Sequence, residues 1–163
     1  MSEIGGLLKL NTAQRADALR MLEPIVERSG WVAQIAVDER PFASSQALAR
    51  SLIEVILKSG FDKRIQLFRA HPELAGREAI EGKMTDASKD EQGRLGLTTL
   101  SKEESARLFR LNTEYAERFG HPFILALHRV PNLQAVLETF ERRLQASEIE
   151  EHVSTLAEIA SLI

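Results

Sequence analysis

The sequence predicts an all-α fold: a single compact domain of about eight helices spanning residues 1–163. Three observations lead there. Apolar residues recur at three- and four-residue spacing along most of the chain, helix start signals stand before several of these runs, and no stretch argues convincingly for a sheet. No internal repeat, low-complexity tract or Gly/Ser-rich linker divides the chain.

The elements follow in order. From Thr12 to Val26, with Asn11 or Thr12 as cap, Leu19, Leu22 and Val26 share a helical face. A short segment from Trp31 to Asp38 ends before Arg40-Pro41. Ser44 then opens a long helix striped by Leu48, Leu52, Val55 and Ile56 and closed by Gly60. Asp62 can cap a third stretch carrying Ile65 and Phe68, which Pro72 stops, because proline disfavours helical geometry in the residue before it. Residues 73 to 85 read as a loop with at most one short helical piece. Ser88 with Glu91, and Ser101 with Glu104, each fit a capping box in which hydroxyl and carboxylate satisfy the first turn's free N–H groups. The second box introduces Leu108, Leu111, Tyr115 and Phe119 ahead of Gly120, and an aromatic stripe through Phe109, Tyr115 and Phe119 reads as core. Phe123 to Leu127 is a continuous apolar run whose period cannot separate strand from helix; a helical or irregular core segment is favoured. Leu133, Val136, Leu137, Phe140 and Leu144 stripe the next helix, and Ile149, Val153, Leu156 and Ile163 the last.

Composition narrows the function. With 21 basic and 24 acidic residues and a net charge of −3, the chain carries no basic footprint for nucleic acid or an anionic membrane. The absence of cysteine excludes disulfides, thiolate nucleophiles and cysteine zinc sites, and a cytoplasmic location is the expectation. The first ten residues lack the basic leader and the apolar length of a signal peptide, and no run approaches the roughly 20 residues that span a bilayer. His121 and His128 have no acid at zinc-site spacing, so no metal is expected. Phosphate loop, dinucleotide fingerprint and serine elbow are all missing, and no cofactor is expected.

The candidate chemistry centres on His71, set in HPELAG where a helix must stop. An imidazole with an unperturbed pKa of about 6.5 suits proton delivery near neutral pH. The alternative is a histidine that merely complements a helix C-terminus. Glu91 is similarly double: a carboxylate able to orient a reacting group, or the ordinary partner of Ser88 in a cap. Arg64, Arg69, Arg77 and Arg94 could each grip a substrate carboxylate, and spacing singles out none.

Four blocks in order resemble the OHCU decarboxylase family: Leu10-Asn11 with Trp31-Val32-Ala33 and Arg40-Pro41-Phe42; HPELAG at 71–76; Ser88-x-x-Glu91-Gln92; and FGHPFILAL at 119–127. The resemblance covers roughly residues 7 to 160. It implies decarboxylation of 2-oxo-4-hydroxy-4-carboxy-5-ureidoimidazoline to (S)-allantoin, an all-α fold, no metal or organic cofactor, and a homodimer. It further implies that His71 is the catalytic acid and Glu91 assists it. Pro72 and Ser88, Lys89, Asp90, Glu91 and Gln92 would border the substrate, with backbone and apolar contacts from Phe123, Ile124, Leu125, Ala126 and Leu127. One departure stands out: members of the family usually carry an arginine in the last helix, and no arginine follows Arg143 here. That departure leaves a rival expectation, a non-catalytic helical interaction module built on the same fold.

Overall fold

The computed structural model describes residues 3–76 and 86–163; all nine α-helices and three short 3-10 turns found among them bear out the all-α expectation, and no strand occurs among the described residues. The described residues of Met1–Ala70, with Ile163, form one compact unit, and those of His71–Leu162 a second.

The first unit runs α1 (Glu3–Thr12), α2 (Arg15–Leu22), a 3-10 turn (Glu23–Val26), α3 (Gly30–Ala36), a second 3-10 turn (Val37–Glu39), α4 (Ser45–Lys58) and α5 (Phe61–Ala70). Here the sequence expectation needs two corrections. Helix begins at the N-terminal side of Thr12 and breaks after it, so neither Asn11 nor Thr12 is a cap; Gln14 precedes α2 with no side-chain capping bond. Gly5 and Gly6 hide α1 from a propensity argument, each costing roughly 1 kcal/mol in a helix interior. Long-range bonds overrule that cost. The Asn11 amide donates to the Phe42 carbonyl and accepts from the Phe42 N–H, both at 2.8 Å. The Arg40 guanidinium donates to the carbonyls of Leu10 (2.9 Å) and Ala13 (2.8 Å), covering acceptors left open at the end of α1, and to that of Val37 (2.8 Å) in the second 3-10 turn. Asn11, Arg40 and Phe42, which carry part of the family resemblance, thus do structural service. The Arg40-Pro41 peptide is cis.

The remaining elements of this unit follow local rules. Ser44 caps α4, its Oγ accepting from Ala47 N at 3.1 Å, and buried Leu52, Val55 and Ile56 face inward, with α3 packed against α4. Gly60 follows the C-cap Ser59, and its carbonyl accepts from Arg64 N to open α5. Asp62 lies within the first turn of α5, so it acts there as a favourable charge and not as the cap.

The second unit holds α6 (Asp86–Arg94), α7 (Lys102–Phe119), a 3-10 turn (Leu127–Arg129), α8 (Leu133–Leu144) and α9 (Glu148–Leu162). The Ser101–Glu104 capping box forms in full, and Gly120 ends α7 with φ 77°, where a side chain would be strained. Leu108, Leu111 and Tyr115 of α7 meet Val136, Leu137, Phe140 and Leu144 of α8 in one core. Phe109, expected in that core, is 74% exposed, because one residue past Leu108 lies about 100° around the helix.

The last helix presents the opposite face from the one expected. Ile149 and Val153 are 78% and 60% exposed, while Glu151, Thr155 and Ile159 are buried. The reason is an internal charge. Arg143 on α8 is buried and makes a bidentate ion pair with Glu151, which also accepts from the Tyr115 hydroxyl. Thr155 receives a further Arg143 bond at 3.3 Å. A buried guanidinium must be answered by a carboxylate, and this requirement turns the polar side of α9 inward.

Candidate active site

His71 directly follows α5 and is half-buried, as is Pro72, so the histidine stands after the helix stop that the sequence predicts. The chain then turns. Gly76 N donates to Glu73 O at 3.3 Å, and Ala75 sits at φ 50°, a region that favours glycine. At Gly76 itself a Cβ would lie 2.6 Å from Glu73 Cβ, so the tightness of the turn demands glycine there.

Two buried amides hold this turn. Gln92 of α6, 3% exposed, accepts from Ala75 N through Oε1 at 2.8 Å. Asn112 of α7, 7% exposed, donates through Nδ2 to Leu74 O at 3.0 Å. Gln92 therefore takes a structural bond in addition to any role toward substrate.

Helix α6 is already formed at Asp86, which places Ser88 inside it; Ser88 is not the N-cap, and the expected Ser88–Glu91 box does not start this helix. The signal misleads because serine three residues before glutamate also occurs within helices. The helix ends where glycine allows it: Leu97 N donates to Gln92 O (3.0 Å) and Gly96 N to Gly93 O (3.1 Å), with Gly96 at φ 72°, the paired bonding of a Schellman motif. Asp90 is exposed. The side chains of Ser88, Lys89 and Glu91 lie outside the described residues, as does Arg77.

The segment Phe123–Leu127 is irregular backbone leading into a 3-10 turn, in line with the favoured reading. Phe123, Ile124, Ala126 and Leu127 are buried and Leu125 is half-buried. Phe123 stacks on Phe140 with centroids 3.9 Å apart, and the Arg143 guanidinium lies 4.5 Å from the Phe123 ring centre. Charged side chains take up the backbone. Arg143 Nη1 donates to Ile124 O (2.7 Å), Ala126 N donates to Glu158 Oε2 (2.8 Å), and Arg94 Nη2 donates to Leu127 O (2.5 Å). Of the main-chain donors in this segment, that of Ala126 is thus occupied by Glu158. Arg94, considered above as a carboxylate clamp, is committed to the carbonyls of Leu127 and, at 3.4 Å, Val130.

Helix α6 gathers three of the four blocks that carry the family resemblance. Through Gln92 it bonds the turn that follows His71, through Arg94 it bonds the end of the Phe123–Leu127 segment, and its own sequence is the Ser88–Gln92 block. Asn112, Arg143, Glu151 and Glu158 went unnoticed as supports. Arg143 did leave a trace, a charge three residues past Phe140 on an otherwise apolar stripe.

Burial also sets the protonation of groups below this segment. It is the main cause that raises the Tyr115 phenol well above its usual range, reinforced by the Glu151 carboxylate that its hydroxyl meets. His121, buried with its Nδ1–H donating to Pro122 O at 2.8 Å, is pushed down by desolvation and so held neutral. Among the described residues no cluster of His, Asp and Glu is arranged to hold a metal ion.

The chain is similar to known proteins over nearly its whole length. A family model described as OHCU decarboxylase matches residues 11–163. A 2-oxo-4-hydroxy-4-carboxy-5-ureidoimidazoline decarboxylase of Haloferax volcanii is 38% identical over 85% of this chain and 79% of its own. One of Mus musculus is 32% identical over 96% and 87%. A uric acid degradation bifunctional protein of Bacillus sp. (strain TB-90) is 32% identical over 96% of this chain, which spans 30% of that longer protein. A crystal structure of (S)-allantoin synthase shares the fold, with a TM-score of 0.75 at 23% identity, over 96% of this chain and 50% of that one. On the breadth of these matches, the chain belongs to the OHCU decarboxylase family.

Proposed function

We propose that this protein decarboxylates 2-oxo-4-hydroxy-4-carboxy-5-ureidoimidazoline to (S)-allantoin without a cofactor, with His71 as proton donor. The observation that carries the reading is the convergence on α6 of three of the four sequence blocks shared with the family, joined by the Gln92 and Arg94 hydrogen bonds. Relatives that bear the decarboxylase name match most of this chain and most of their own length, which supports the same substrate.

The chemistry asks little of the protein beyond position and a proton. The bond from ring carbon to carboxylate breaks, CO2 leaves, and the electron pair forms a ring C=C as the C=N pair passes to nitrogen; the hydroxyl proton moves to that nitrogen, leaving an enolate whose ureido-bearing carbon accepts the next proton as the C=O forms. His71, as the imidazolium, then delivers a proton to one face of the ring, which sets the handedness of the product, and regains its proton from solvent. Glu91 favours the charged imidazolium. Pro72, Ser88, Lys89, Asp90 and Gln92 border the substrate, and Phe123, Ile124, Leu125, Ala126 and Leu127 supply a largely apolar wall, of which Leu125 retains the most open surface. The active form is a homodimer, a reading that rests on the family resemblance and is checked by light scattering of the purified protein; the cytoplasmic location rests on the absence of cysteine.

The test generates the substrate from urate in situ and follows the circular dichroism of allantoin. The protein accelerates the enantiomeric signal, and His71→Ala lowers that rate by about 10²- to 10⁴-fold, the usual contribution of a general acid, while helicity is retained. A wild-type protein that leaves the signal unaccelerated is instead the non-catalytic helical module.

A further inference from the structure

We propose that Gln92 and Asn112 form a peptide clamp that locks the turn after His71 in one orientation, and that Asn112 is thereby a positioning residue for the reaction; the second half of this inference rests on the function proposed above.

The two amide bonds fall on a single peptide unit. Leu74 O and Ala75 N are the two ends of the Leu74–Ala75 peptide, and they point in opposite directions. Gln92 Oε1 only accepts, and Asn112 Nδ2 only donates. With the two side chains held as they are, a peptide flipped by half a turn brings its carbonyl against Gln92 Oε1 and its N–H against Asn112 Nδ2, so both contacts turn repulsive and the flip requires both amides to rotate as well. This is also the peptide whose orientation matters. It is the central peptide of the Glu73–Gly76 turn, and its rotation decides whether the third residue has negative φ, as in a type I turn, or positive φ, as in type II. Ala75 holds φ 50° without being glycine, a strained state that persists only where its surroundings over-determine it. The clamp supplies that determination from two helices, α6 and α7. His71 is joined to the clamped turn through Pro72, whose ring fixes one of the backbone dihedrals between clamp and imidazole.

Asn112 has a second mark of a positioning role. Its Oδ1 is buried with no hydrogen-bond partner among the described residues. A side chain present only to fill core would not need a buried acceptor left open.

The experiment uses the full chain and two readouts. By amide hydrogen exchange, Asn112→Leu exposes the Ala75 N–H to exchange faster than in the wild type, while amides of α8 remain protected. By kinetics on the in situ substrate, Asn112→Leu lowers kcat by about tenfold to a hundredfold, the loss that a misplacement of order 1 Å gives, with KM little changed. Adding Ala75→Gly, which removes the cost of positive φ, restores part of kcat without restoring the lost hydrogen bond. A simple packing defect at Asn112 gains nothing from that glycine. Where Asn112→Leu does not fold, Asn112→Asp, of equal size and without the donor at neutral pH, replaces it. Unchanged exchange at Ala75 overturns the clamp. An unchanged kcat, or a loss that Ala75→Gly leaves untouched, overturns the positioning role. A wild type with no decarboxylation defeats the proposed function and the positioning role together, and the clamp is then judged by exchange alone.

Discussion

Two irregular segments carry the candidate site, and they are held by opposite means. The Glu73–Gly76 turn is fixed by neutral amides, Gln92 and Asn112. The Phe123–Leu127 segment is fixed by charges: Arg143 on Ile124 O, Glu158 on Ala126 N and Arg94 on Leu127 O. Amides do not titrate near neutral pH, which suits a turn whose geometry must not depend on protonation. Charged groups form stronger hydrogen bonds, but each buried one needs a counter-charge of its own. The charged scheme therefore reaches further into the fold, drawing in Glu151, Tyr115 and Thr155.

The contrast breaks most sharply at Arg143. Arg143→Leu leaves the Glu151 carboxylate, 0% exposed, without its cation and costs about 3–5 kcal/mol in a denaturant melt. Arg143→Met combined with Glu151→Leu costs much less, since well-packed apolar residues can replace a buried pair. Equal losses for the single and double variants would show that packing, and not charge, holds the segment.

A smaller effect is expected at Glu158, which is only half-buried. Glu158→Gln keeps an acceptor for Ala126 N and turns a charge-assisted bond into a neutral one, so the loss is about 1 kcal/mol. Thermal unfolding reads it directly, and a loss as large as that at Arg143 would contradict the ranking.

The smallest effect is that of pH through His121. Its folded pKa is depressed, so the unfolded chain binds the proton more readily; the contribution is fully present above the ordinary histidine value of about 6.5 and is lost as pH falls from there through the folded value. His121→Phe flattens the stability profile across that window. Exchange at Ala75 N in the native state stays tied to the neutral clamp and follows only the intrinsic pH dependence of amide exchange.

Legibility in the sequence tracked the range of the interaction that decided each feature. Ser44, the Ser101–Glu104 box, Gly120 and the α8 stripe are local signals, and the helices they announce are present. Helix α1 escaped because bonds from Arg40 and Phe42, about thirty residues away, outweigh Gly5 and Gly6. The inward face of α9 escaped because Arg143, on another helix, selects Glu151 over Ile149 and Val153. The site divides in the same way. HPELAG, the Ser88–Gln92 block and FGHPFILAL were visible through their resemblance to a family, and the position of His71 after a helix end was visible from Pro72 alone. The bonds that bring the blocks together, Gln92 to Ala75 and Arg94 to Leu127, link distant positions and leave no periodic trace.

The chain contains one tryptophan and one tyrosine, and the fold assigns one to each compact unit: Trp31 to the first and Tyr115 to the second. Each unit therefore has its own chromophore. Trp31, half-buried with Lys63 Nζ 5.2 Å from its ring centre, reports the first unit through fluorescence. Tyr115, fully buried among Phe119, His121, Phe123 and Phe140, reports the second through near-ultraviolet dichroism in the Trp31→Phe variant, where no tryptophan band overlaps it. Overlaying the two melting curves measures, with no label introduced, whether the units unfold as one cooperative body or in succession.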